Sequence, residues 1–315
     1  GVSMRRPHSS TQSAMNPDRS PGIDRPDPPR VDRSFFNGPV LGKDYLVLEE
    51  GPGFRLDSWA VAAICNSHRG VGTDGIVVLM RGSGEPWRLR MFNPDGSEFE
   101  RSGNGLRILA SHLFRTGRVG HDPFQVEVGG DRITMAVHPG SSEGPFDVSV
   151  EMGPARFGPR AVGLRSGSED PRLVHPVFGR SDFESVSVGN PHSVLFPEDL
   201  ESAYVEEMGA FLASNPAFAA GTNVQFVRPT GPDALEIRIW ERGVGPTSAS
   251  GTSACAAAAA AVRRKLLDPG WIGVEAPGGT LSVRVGDDWR LTLRGPVEAV
   301  CEGRLDPSFV IGVEG

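Results

Sequence analysis

A chain of 315 residues that is 23% charged and 38% hydrophobic, with a formal net charge of −7, has ordinary globular composition and room for one or two domains. The acidic balance argues against a general nucleic-acid surface, which needs clustered Lys and Arg, and no apolar run approaches the ~18 residues of a membrane span. Three cysteines without CxxC spacing and scattered histidines give neither a disulfide framework nor a zinc site, so a cytoplasmic, metal-free protein is expected.

Residues 1–34 are rich in Pro, Arg, Asp and Ser, with almost no large apolar side chains. Such a segment buries too little surface to offset chain entropy and reads as a disordered tail. Order is expected from about Phe35. Residues 44–49 read as a strand. Asp57 is placed to cap a helix that runs to about Cys65. Residues 75–80 and 87–93 read as further strands. After Gly105, the residues Leu106, Leu109, Ala110, Leu113 and Phe114 fall on one helical face, which Thr116-Gly117 ends. Strands follow near 126–128, 133–137 and 148–152.

The same order then recurs. Gly42-Lys43 resembles Gly189-Asn190, 147 positions on, and Gly72-Thr73-Asp74 resembles Gly221-Thr222-Asn223, 149 positions on. Leu89-Arg90-Met91-Phe92 resembles Ile237-Arg238-Ile239-Trp240, and Ser102-Gly103 resembles Ser250-Gly251, both 148 positions on. This pattern implies two α/β domains of one design, related by a pseudo-two-fold axis, each wrapping strands around a central apolar helix. The expected bounds are 35–153 and 154–298, with a strand at about 299–311 returning to the first domain.

Ser102-Gly103-Asn104-Gly105 and Ser250-Gly251-Thr252-Ser253 each stand between a strand and a helix. The first amides of a helix lack internal partners, and the helix dipole favours negative charge there. A pseudo-two-fold sets the two turns face to face across a cleft. Gly103, Asn104, Gly251 and Thr252 are therefore expected to offer amides to an anion.

The runs Asn93-x-Asp95-Gly96-Ser97-Glu98, Gly103-Asn104-Gly105-x-Arg107, Gly189-Asn190-Pro191-His192, Gly221-Thr222-Asn223-Val224 and Glu241-Arg242-Gly243-x-Gly245 resemble the diaminopimelate epimerase family in order and spacing. The resemblance covers about residues 35–311. It implies a cofactor-independent epimerase or racemase, without PLP or metal, that acts on a small amino acid or related carboxylate and often pairs as a homodimer. It also implies a thiol pair, one cysteine from each domain, as acid and base. Those two positions hold Ser102 and Ser250, and an alcohol is a poor base unless another group takes its proton.

Two explanations of the serine pair stay open: a substitution that traps a complex, and divergence. Lys43, Pro246 and Ser253 also depart from the family pattern, which favours divergence. The resemblance assigns Asn93, Asn190, Asn223 and Arg242 to the distal end of the substrate. Asn190 and Asn223 can equally serve turns beside glycine, whereas Arg242 offers a bidentate contact to a carboxylate. Lys43 is either an additional anion or acid/base site or a solvated lysine. His192 and Glu241 are the remaining acid/base candidates, with a buried structural histidine as the other reading of His192. Cys255 reads as a packing residue. The functional readings are thus an isomerase, an enzyme of another class such as a dehydratase or cyclase, and an inactive amino-acid binder.

Overall fold

The computed structural model describes residues 26–82, 84–99, 102–139, 146–166 and 169–314. Most of the tail expected over residues 1–34 lies outside these described residues. Its last part does not stay free of structure. A strand runs Arg30–Val40, five residues ahead of the expected start at Phe35. Val31 is fully buried, and the Pro29 carbonyl accepts the Leu56 amide at 2.8 Å, so one apolar side chain and a backbone ladder order this stretch.

Five α-helices are present among the described residues: α1 Ser58–Cys65, α2 Gly103–Arg115, α3 Ser202–Ala213, α4 Gly251–Arg263 and α5 Pro307–Glu314. Asp57 caps α1 by accepting the Ala60 amide, as its position predicts. The α2 helix ends where Gly117 takes the left-handed conformation and the Arg118 amide reaches back to the Leu113 carbonyl. In α4 the alanine run 256–261 is fully buried. Small side chains with strong helix propensity let the surrounding strands approach closely.

The strand connectivity repeats. In the first half Lys43–Glu50 pairs parallel with Ile76–Leu79, which pairs antiparallel with Trp87–Phe92. Trp87–Phe92 pairs parallel with Phe124–Val128, and two antiparallel steps lead on through Asp131–His138 to Phe146–Pro154. In the second half Pro191–Leu195 pairs parallel with Asn223–Gly231, which pairs antiparallel with Ala234–Glu241. Ala234–Glu241 pairs parallel with Gly270–Ala276, and two antiparallel steps lead through Gly279–Val285 to Arg290–Val297. The two series have the same sequence of orientations. The chain is therefore an α/β fold of two like halves, each wrapped around one central helix, α2 or α4.

The halves join through their last strands. Phe146–Pro154 pairs antiparallel with Arg290–Val297, and one hydrophobic core runs through both helices. Leu293 lies at this seam, fully buried. A methyl group on Gly103 would come within 3.3 Å of the Leu293 Cδ2, and one on Gly251 within 2.7 Å. One leucine thus wedges against the first residue of both central helices, and the two helix tips converge.

The expected C-terminal strand at 299–311 is shorter. Cys301–Arg304 pairs antiparallel with Arg30–Val40 and so returns to the first half. The chain then turns into α5. The Asp306 carboxylate accepts the Ser308 amide at 2.8 Å, Pro307 fits the first helical position, and Val310 and Val313 pack on a small core that includes α1.

Candidate active site

Ser102 and Ser250 are the N-cap residues of α2 and α4. Ser102 Oγ accepts the Gly105 amide at 3.1 Å, and Ser250 Oγ accepts the Ser253 amide at 3.4 Å. Both tips open into one cleft of about 650 Å³, lined by residues of both halves. Lys43, Asn93, Ser102, Gly103 and Asn104 come from the first half; Asn190, Asn223, Glu241, Arg242, Ser250, Gly251 and Thr252 come from the second. Twelve of the thirteen residues singled out in the sequence therefore meet here. A separate, more apolar hollow of about 470 Å³ lies between α1 and α5 and holds none of them.

His192 is the exception. It is fully buried and does not line the cleft. Burial pushes its pKa down to about 3, outweighing a contact with Gln225 that acts the other way. The ring is therefore held neutral at physiological pH, and the structure places it behind the residues that line the cleft. Its Nε2 meets Asn190 Oδ1 at 2.8 Å, the Asn190 amide reaches the Thr252 hydroxyl at 3.5 Å, and that hydroxyl lies 3.4 Å from Ser250 Oγ. His192 sets the orientation of Asn190 and, through it, of the second helix tip.

The asparagines are held from behind. Asn223 donates to the Pro191 carbonyl at 3.1 Å and accepts the Arg242 amide at 3.0 Å, so its side chain fixes the backbone that carries Arg242. The Arg242 guanidinium donates to the Ala220 carbonyl while it lines the cleft. Asn93 donates to Ser97 Oγ at 3.0 Å. Asn104 accepts from the fully buried Arg107 at 2.9 Å. Arg107 stands 148 positions from Cys255, its equivalent on α4, which is also fully buried and absent from the cleft lining, in keeping with its reading as a packing residue.

Lys43 lines the cleft with its side chain 32% exposed. Its Nζ lies 3.4 Å from Glu241 Oε2, an ion pair that crosses between the halves. Glu241 also accepts from Thr247 Oγ1 at 3.2 Å. The cleft therefore combines two helix N-termini, two cations and a paired carboxylate. Such a site can hold a carboxylate at the tips and move a proton beside it.

The sequence reading missed Tyr45 and Asp131, which also line the cleft. For Tyr45 a signal was present: it stands 147 positions before His192 and fills the same place in the repeat. Among the described residues no group of three or more His, Cys, Asp or Glu side chains is arranged to hold a metal ion, and no helix is long and apolar enough to cross a membrane.

The sequence model of the diaminopimelate epimerase family matches residues 41–158 and 184–300. The chain belongs to the diaminopimelate epimerase family. Diaminopimelate epimerase 2 of Nostoc sp. is 35% identical over 276 residues, covering 86% of this chain and 95% of that protein. The diaminopimelate epimerase of Desulforudis audaxviator is 37% identical over 278 residues, covering 84% and 96%. Among solved structures, a hydroxyproline epimerase from Agrobacterium vitis with bound trans-4-hydroxy-L-proline superposes with a TM-score of 0.63 at 14% identity, covering 88% of this chain and 94% of that one. A phenazine biosynthesis protein of Bacillus anthracis gives a TM-score of 0.63 at 14% identity, covering 86% and 98%. At such identities the structural likeness establishes the fold alone. By family the diaminopimelate epimerase-like chain is an isomerase-class enzyme.

Proposed function

We propose that this chain is a cofactor-independent isomerase that moves a proton at the carbon beside the carboxylate of a small amino acid, with Ser102 and Ser250 where the family resemblance implies thiols. The observation that carries the reading is the convergence of two serine-capped helix N-termini on one cleft shared by both halves. The free amides at the tips, with Gly103, Asn104, Gly251 and Thr252, bind the substrate carboxylate and the charge that develops on it as the proton leaves. Arg242 binds the distal carboxylate, and Asn93 and Asn190 frame the same end.

An alcohol at either tip does not serve as the base at neutral pH. Glu241 is the carboxylate in the cleft that takes the proton, and Lys43 beside it steadies the charge it carries between turnovers. Substrate held this way meets its base from the second half.

A second reading is favoured by the Lys43–Glu241 pair. It places a cation at a position that departs from the family pattern, and so suits an elimination or cyclisation of a biosynthetic intermediate. One incubation separates the readings. The unmodified protein is held in D₂O with LL- or meso-diaminopimelate and, separately, with L-proline, and followed by NMR and mass spectrometry. Deuterium at the α-carbon with interconversion of stereoisomers supports the isomerase. A product of new mass supports the second reading. Saturable binding by calorimetry without exchange would leave a binding protein and overturn both.

A further inference from the structure

The two halves match in strand order, yet the hydroxyls at their helix tips have different neighbours. In the first half Ser102 Oγ lies 3.2 Å from Tyr45 Oη. Ser102 Oγ already accepts the Gly105 amide, so its own hydrogen goes to the phenol oxygen. The phenol hydrogen is then left for the cleft, which Tyr45 lines. The ring is only 8% exposed and is pinned in place: a methyl group on Gly75 would stand 2.7 Å from its Cε1. In the second half the equivalent residue, His192, is buried behind Asn190, and Ser250 Oγ meets the Thr252 hydroxyl and the Ser253 amide. Of these two equivalent residues, Tyr45 alone touches its capping serine and reaches the cleft.

We propose that Tyr45 is the proton donor of the first half, making the two faces of the reaction chemically unlike. This rests on the isomerase reading above. Glu241 takes the α-proton: the C–H bond breaks and its electron pair passes into the carbon–carboxylate system. On the opposite face the Tyr45 O–H bond breaks and its proton forms the new C–H bond. The electron pair stays on the phenolate oxygen, where the Ser102 hydroxyl donates a hydrogen bond to it. A water molecule returns a proton to the phenolate, and Glu241 gives its proton to water. Serine in place of a thiol thus becomes a partner of the acid instead of the acid itself.

The surroundings suit a donor. Burial above all, then the carboxylates of Asp74, Glu241 and Asp44, hold the phenol above its ordinary pKa, while the Ser102 hydrogen bond works in the other direction. Lys43, two residues before it on the same strand, is the neighbouring cation. Tyr45 stays protonated through neutral pH and acts as an acid in one direction of turnover. In the opposite direction it must start as phenolate, so that direction gains rate toward alkaline pH.

The test compares wild type, Tyr45→Phe and Ser102→Ala in D₂O with LL- and meso-diaminopimelate, reading α-deuteration and stereoisomer composition separately. For the stereoisomer whose α-hydrogen faces Glu241, abstraction precedes donation, so Tyr45→Phe is expected to keep α-exchange with retained configuration while inversion falls by ~100-fold or more; for the other stereoisomer Tyr45 is the base and exchange and inversion fall together. Ser102→Ala lowers inversion in the same sense and by less, with the tyrosine still present. Inversion within about 3-fold of wild type in Tyr45→Phe would overturn the assignment while leaving the isomerase intact. Loss of exchange and inversion together from both stereoisomers would overturn it too, since for one of them Glu241 removes the proton before the donor acts. Absence of exchange in the wild type itself removes the isomerase reading and this assignment with it.

Discussion

At the scale of single residues, two serines and a histidine carry the predictions. A thiol at a helix N-terminus is acidified by the amides and dipole there. Ser102 and Ser250 sit in such positions but ionise far outside the physiological range. The double variant Ser102→Cys/Ser250→Cys is expected to raise α-proton exchange with diaminopimelate by about 10²-fold, the lower end of what a positioned acid or base contributes. NMR in D₂O checks it, and unchanged exchange would mean that the serines do not face the reacting carbon. His192 makes a different prediction. The unfolded chain protonates this ring near 6.5, whereas the folded protein resists until about 3. The unfolded state therefore binds the extra proton, so stability that is full above 6.5 is lost as pH falls toward 3. His192→Gln should flatten this dependence, measured as urea midpoints at a series of pH values between those limits.

At the scale of elements, the two central helices were legible in the sequence because capping and periodicity are local. Ser102 and Ser250 have hydroxyls that satisfy orphan amides, and Leu106, Leu109 and Leu113 mark the buried face of α2. The ends of the chain were less legible. Residues 30–34 carry one large apolar side chain, Val31, and become a strand only because the Phe54 and Glu50 backbones are there to pair with. Residues 307–314 have β-branched character but fold as α5, since the Asp306 cap, Pro307 and the α1 surface outweigh strand propensity. The alanine face of α4 gives the prediction at this scale. Ala258 is fully buried among strands packed against small side chains. Ala258→Leu adds methylenes with no space to receive them and should destabilise by about 1–3 kcal/mol, read from chemical denaturation.

At the scale of the whole molecule, the pairing of Phe146–Pro154 with Arg290–Val297 turns a duplicated sequence into one site. Leu293 on that seam touches the first glycine of each central helix, and it is fully buried. Leu293→Ala should cost about 2–5 kcal/mol and also lower amino-acid affinity, because both anion-binding tips lose their common wedge. Titration calorimetry alongside denaturation separates the two effects; a stability loss with unaltered affinity would show that the tips are set by their own strands. The Lys43–Glu241 pair likewise exists only in the assembled molecule, bringing together residues 198 positions apart.

By itself the sequence determined the α/β class, the duplication, the two capped helices and twelve of the seventeen residues that line the cleft, because spacing, turn chemistry and a repeat offset are properties of the chain read locally. Only the tertiary structure decided which way equivalent side chains face. Tyr45 and His192 hold the same place in the repeat, yet one opens to the cleft against Ser102 and the other is sealed behind Asn190. The reason is physical: burial and hydrogen-bond partners come from packing against residues distant in the chain, and a duplicated pattern leaves those partners free to differ between its two copies.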